Sequence, residues 1–98
     1  MTDMISFAEY ADQEGTSFRI HGEEGQVLEL LISSVEEHPG NPSLEQFSLF
    51  LHGPKDPLLQ SGSYEVQHDA LGVHLLYLSA LDRNEKGCSY QALFNRLK

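Results

Sequence analysis

Residues 64 to 68 read Tyr-Glu-Val-Gln-His and residues 74 to 78 read His-Leu-Leu-Tyr-Leu, two β-type runs joined by Asp69-Ala70-Leu71-Gly72. No other stretch restricts the fold as much. A hairpin of this kind buries one of its faces, and a slip of one residue would exchange the buried and solvated sets. Comparable runs recur along the chain. Ser17-Phe18-Arg19-Ile20 alternates polar and apolar, Gln26 leads into VLELLISSV with Leu28, Leu30 and Ile32 on one face, and Tyr90, Ala92 and Phe94 alternate near the end. Turn chemistry separates them: the two-glycine cluster His21 to Gly25, the two-proline stretch His38 to Pro42, which reads as the longest loop, then Gly53-Pro54 and the segment from Asp82 to Gly87. Six strands at such spacing predict an all-β fold, a small six-stranded antiparallel barrel or sandwich.

Two segments need separate argument. Ser6-x-x-Glu9 has the spacing of a capping box, in which serine and glutamate satisfy each other's backbone amides, so a short N-terminal helix is expected from Phe7 to Asp12. Residues 43 to 54 fit two templates. Leu44, Phe47 and Leu51 fall at helical spacing, whereas Phe47, Leu49 and Leu51 alternate. The Gly53-Pro54 break leaves too short a run for a helix, which favours a strand with at most one helical turn before it.

With 98 residues the chain fits one domain, since halving it would leave neither part enough core. It has no apolar run of the length that spans a bilayer, and MTDMISFAEY lacks the basic start and apolar stretch of a secretory leader, so a cytoplasmic location is the default expectation. Cys88 is the only cysteine, with no disulfide or CxxC partner, and reads as a half-buried strand residue. The net charge of −9 arises entirely before residue 50, while the rest of the chain is neutral. An acidic half repels phosphate backbones and anionic lipid. Nucleic acid and membrane are therefore disfavoured as partners, and a basic protein is permitted.

The histidines raise the question of metal. A four-residue loop over 69 to 72 would pair His68 with Val73 and turn His74 to the opposite face. A five-residue loop would set His68 against His74, on a face shared with Tyr64, Val66, Leu76, Leu78 and Ala80. Even then two imidazoles fall short of a zinc ligand set, and the face reads as core, so no metal or cofactor is expected. His21, His38 and His52 lie in or beside turns and are expected to be exposed. No serine sits in a strand-to-helix nucleophile elbow, and the adjacent acids Glu23-Glu24 and Glu36-Glu37 suggest solvation, so no catalytic residue is assigned.

Phe47-Ser48-Leu49-Phe50-Leu51-His52-Gly53-Pro54, then Gly62-Ser63-Tyr64-Glu65-Val66-Gln67-His68 with Leu71-Gly72, then Tyr90-Gln91-Ala92-Leu93-Phe94-Asn95-Arg96 form an ordered set. In that order they resemble a family of small bacterial β-rich domains of unknown function with motifs of the type FSLxFxGP, GxYxxxHxxLG and YxAxFNR. Glu14-Gly15 to Ile20 resembles the opening G-x-x-F stretch of that family. The resemblance covers nearly the whole chain. It implies a small β fold without an assigned activity, and an association of some members with phage-tail-like or tail-collar genes. The family carries an aromatic residue where His74 stands, which implies a packing position. Tyr64, His68, Asn95 and Arg96 match the pattern and are not apolar fillers, so they form the candidate interaction cluster. The expected function is that of a non-enzymatic interaction or assembly protein. The alternatives are a module that binds a small molecule or metal through His68, and an acidic inhibitor of a basic protein.

Overall fold

A computed structural model describes residues 7–21, 25–38, 40, 43–55 and 59–97, with the backbone alone described at 96 and 97. A helix, α1 (Phe7–Ala11), precedes six strands: β1 (Ser17–His21), β2 (Val27–Glu37), β3 (Leu44–Gly53), β4 (Gly62–His68), β5 (Gly72–Asn84) and β6 (Gly87–Leu97). Two three-stranded meanders, β1-β2-β3 and β4-β5-β6, are joined along β3 and β6, and β1 meets β4, so the sheet closes into an antiparallel barrel in the order β1-β2-β3-β6-β5-β4. Of the two expected architectures the barrel is therefore the one formed. Among the described residues no helix is long and apolar enough to cross a membrane.

The ambiguous segment is strand throughout its described length. Leu44 and Glu45, which a helical reading would have taken, lie opposite Leu97 and Arg96 in the continuous β3–β6 ladder that runs to Gly53 opposite Cys88. Cross-strand pairing overrode the local helical spacing, because each residue in this ladder gains a partner that an isolated turn could not supply. The helix matches the expected position, although its Ser6 cap lies outside the described residues.

Two expectations on loops are corrected. The longest connection is not that at His38 to Pro42 but the one from β3 to β4, residues 54 to 61. The β4–β5 hairpin has neither the four- nor the five-residue loop. His68 lies opposite Gly72 across the three-residue turn Asp69 to Leu71. Gly72 stands at φ +83°, a conformation that an L side chain resists, and this lets the strands close one residue earlier than the four-residue loop would and two earlier than the five-residue loop. The β5–β6 hairpin is tighter still, with Asn84 opposite Gly87. A Cβ on Gly87 would lie 2.2 Å from the carbonyl oxygen of Gly53, so glycine is required there on steric grounds as well as by its φ of +135°.

Register shifts at Ile32/Ser34 in β2 and Ala80/Asp82 in β5 leave Ser33 and Leu81 as extra residues. Such bulges increase strand coiling, which helps six strands close. The interior is filled. Phe18, Leu30, Ile32, Phe47, Leu49, Val66 and Leu78 are fully buried, together with Leu51, Cys88, Tyr90 and Ala92 at or below 1% exposure. Cys88 is thus buried outright and not half-buried as its position suggests. Phe7 and Tyr10, one helical turn apart, turn α1 into a plug at one end. There Tyr10 lies 5.8 Å from Phe47 and 5.3 Å from Phe94 between ring centroids, and Phe47 stacks on Phe94 at 4.6 Å. At the other end the Tyr90 hydroxyl accepts from the Leu59 amide at 3.0 Å, and the Tyr64 hydroxyl donates to the Gln60 carbonyl.

Tyr90, Ala92 and Phe94 point inward, as their alternation predicts, and Gln91 takes the outer face. Phe94 is only half-buried where Phe47 is wholly enclosed. Chemical denaturation should accordingly show Phe47→Ala losing about 3–5 kcal/mol of stability, the range for an enclosed aromatic, with Phe94→Ala losing distinctly less.

Candidate functional site

Polar side chains converge at the seam where β1 meets β4. Among the described residues the backbone register there comprises the pair Arg19 opposite Gln67. Side chains carry the rest of the closure. Thr16 Oγ1 lies 2.7 Å from His68 Nε2, Arg19 Nη2 donates to Asp69 Oδ1 at 2.7 Å, and His21 Nε2 lies 3.0 Å from Gln67 Oε1.

The environment of His68 defines its protonation. The three-residue turn aims the Ala70 and Leu71 amides at Nδ1, at 3.0 and 3.2 Å. Two incoming N–H donors require an unprotonated Nδ1, so the proton of the neutral ring sits on Nε2 and is donated to Thr16. Thr16 passes the chain on by donating its hydroxyl to the Gln13 carbonyl, just beyond α1. The connector is tied to β2 as well, with Gly15 N bonded to Ile32 O and Ile32 N to Thr16 O. The imidazole, 6% exposed, also meets the Phe18 ring edge-on at 5.3 Å. Burial holds the pKa of His68 below its ordinary value; Asp69 pulls it up and Arg19 pulls it down. The hydrogen bond and charge of Arg19 keep the exposed Asp69 carboxyl below its usual range.

A shallow, open cleft of about 390 Å³ lies over this seam, bordered by Thr16, Arg19, Glu29, His68, Asp69 and Ala70. It offers little free chemistry. Both ring nitrogens of His68 are engaged, and Arg19 is paired with Asp69. Among the described residues no three His, Cys, Asp or Glu side chains lie close enough together to hold a metal.

The four residues singled out from the sequence are distributed around the barrel. Tyr64 and His68 share the inner face of β4, where Tyr64 bonds at the end covered by residues 59 to 61 and His68 at the seam. Asn95 is exposed on β6 opposite Gln46, and Arg96 lies in register with Glu45. β5 stands between β4 and β6. His74 shares the face of His68 but lies opposite Val66, and its Nε2 is hydrogen-bonded to the Leu71 carbonyl oxygen. Of the residues that do surround His68, Asp69 is its chain neighbour, whereas Thr16 and Arg19 carried no spacing signal, Thr16 and His68 being 52 positions apart.

A second polar group lies on the outer face. The Ser48 hydroxyl is 2.8 Å from His38 Nε2 and accepts from Gln91 Nε2 at 2.9 Å. This is the reach of a serine–base pair, but Ser48 is 0% exposed, so no substrate can approach its oxygen. His38 and His21 are exposed as expected; His52 is half-buried on β3 with Nε2 3.0 Å from the Lys86 carbonyl oxygen.

A small antiparallel barrel, filled with side chains, plugged by a helix and sealed along one seam by a histidine network, is the class of domain these features define. The chain belongs to the family described as Domain of unknown function (DUF6916), whose model matches residues 5–94. No significant match to the chain was found among the curated proteins, and none among the solved structures.

The His68 network predicts acid sensitivity. With a folded pKa below that of the unfolded chain, His68 takes up its proton more readily on unfolding. Its contribution to stability is therefore complete above the unfolded value, about 6.5, and declines as the pH falls below it. Unfolding curves collected from about pH 7.5 to pH 5 should show a steeper loss for the wild type than for His68→Asn, which lacks the titrating ring. Parallel curves would show that the ring titrates alike in both states.

Proposed function

We propose that this chain is a non-catalytic interaction module that binds protein through the outer face of β5 and β6. The observation that carries the reading is a run of large apolar side chains left in solvent on that wall: Val73 at 58%, Leu75 at 72% and Tyr77 at 60% exposure, with Leu93 at 68% beside them. The β5–β6 ladder brings the two strands together at the edge of this run, at Ser79 and Gln91, and Tyr77 and Leu93 are each two residues further along on the same outward face. A barrel whose core is already complete gains no stability from such residues, and contiguous exposed apolar patches mark sites of association. The full interior and the engaged nitrogens of His68 give the alternative of a small-molecule or metal site less to work with. The motif resemblance, with its link to phage-tail-like genes, supports an accessory role in an assembly of that kind.

The test uses Leu75→Glu and Leu93→Glu. Both side chains are largely exposed, so each variant should melt within a few degrees of the wild type, yet lose the proteins that the wild-type chain retains from an extract of its native host. Retention of the same proteins by both variants would reject the β5–β6 wall as the binding face.

A second reading follows from charge. Glu29, Glu36 and Glu37 are exposed on β2, Glu9 is exposed on α1, which packs against β2 and β3, and Asp12 is exposed just after it. This acidic wall suits a basic partner, as an inhibitor of a basic protein would require; Glu23 and Glu24 lie outside the described residues. For such a partner, Glu36→Gln with Glu37→Gln should slow association and flatten its salt dependence, with little change in folding stability. Stopped-flow rates indifferent to both salt and substitution would remove this reading.

A further inference from the structure

We infer that the occupant of the β5–β6 wall is a second copy of this chain, docked wall to wall about a twofold axis. The inference rests on the interaction-module reading and names its partner.

The first argument is the charge of the wall itself. Residues 73 to 81 of β5 and 89 to 95 of β6 include no Asp, Glu, Lys or Arg. Charged groups steer and select a foreign partner. An uncharged apolar surface lacks that means of selection but is complementary to itself, which is the requirement of an isologous contact.

The second argument concerns the net charge of −9, which at first sight opposes self-association. The strand order sets β2 directly across the barrel from β5. The exposed acids of β2, Glu29, Glu36 and Glu37, therefore lie on the far side from the apolar strip. The molecule measures 23 Å in its thinnest direction, and charges are screened over about 8 Å at physiological salt. Docking through β5 turns both acidic walls outward, beyond the range at which they repel, whereas docking through β2 would press them together. The acids that flank the strip are Glu65, opposite Leu75 on β4, and Asp82, which follows Leu81 on β5. A twofold axis running along β5 lays β4 of one copy over β6 of the other, so the two Glu65 carboxylates fall on opposite edges of the contact.

The third argument is size. Four side chains exposed by 58 to 72%, extended by Leu81 at 50%, make a patch on the order of a few hundred Å². With a rim of Ser63, Gln67 and Gln91, this supplies the apolar centre of an interface of roughly 800 Å² per partner.

Sedimentation velocity over a concentration series of the full chain tests the inference. The wild type should show a concentration-dependent monomer–dimer equilibrium that is insensitive to added salt. Leu75→Glu and Leu93→Glu should each weaken it about thirtyfold or more, the scale of losing a central anchor, with melting temperatures unchanged. Leu31→Glu on β2, also at an exposed apolar position, should leave the equilibrium as it is. A wild type that stays monomeric at every concentration overturns the dimer, as does a dimer that survives both wall substitutions. If the monomeric wild type nevertheless retains host proteins that the wall variants lose, the interaction module stands and only its partner was misassigned. If the wall variants change neither property, both readings fail.

Discussion

Closure of the barrel depends on the contact between β1 and β4, and that contact depends on His68. Every other neighbouring pair of strands is joined by an extended ladder, whereas this one has the Arg19–Gln67 pair and a set of side-chain bonds. A neutral imidazole suits the position because it is an acceptor on one side and a donor on the other. Its Nδ1 gathers the two amides of the β4–β5 turn and its Nε2 reaches Thr16, so one ring shapes a hairpin and fastens that hairpin to the connector after α1. The neighbouring Arg19–Asp69 pair is largely in water, where ion pairs contribute little, and the enclosed network is the stronger tie.

The filled interior determines where function can reside. Among the described residues, aromatic rings close one end, Leu59 lies over the other, and buried side chains occupy the interior between them. The groups that suggest chemistry in isolation are occupied or enclosed: Ser48 by His38 and Gln91, Cys88 by the core, His68 by its turn. The outer walls differ sharply from one another, with acids along β2 and α1 and uncharged apolar side chains along β5 and β6. A surface divided in this way is suited to association, with one face to meet a protein and another to remain in solvent.

Much of the architecture is legible in the sequence. Alternation identified the strands, and the inward set Tyr90, Ala92 and Phe94 followed from period two alone. Register was less accessible. Whether His68 would face Val73 or His74 turned on loop length, and the observed partner, Gly72, depends on a positive φ that the dipeptide Leu71-Gly72 permits but does not require. The strand at Leu44 resisted a local reading for a similar reason, since its helical spacing was outweighed by a partner some fifty residues away in β6. Tyr64, His68, Asn95 and Arg96 stood out by residue type. Type carries no information about which side of a closed sheet a strand will occupy, and β5 intervenes between the two pairs.

What the sequence by itself determined is the class of fold, the segments in which its turns fall and the uneven distribution of charge, because these rest on short-range properties: side-chain alternation, glycine and proline stereochemistry, and formal charge. Tertiary structure alone decided that the sheet closes as a barrel, that Thr16 and Arg19 reach His68 and Asp69, and that the acidic β2 and the apolar β5 become opposite walls. Each of these depends on strand order, and strand order is set by pairing between segments far apart in the chain, where no local pattern distinguishes one partner from another.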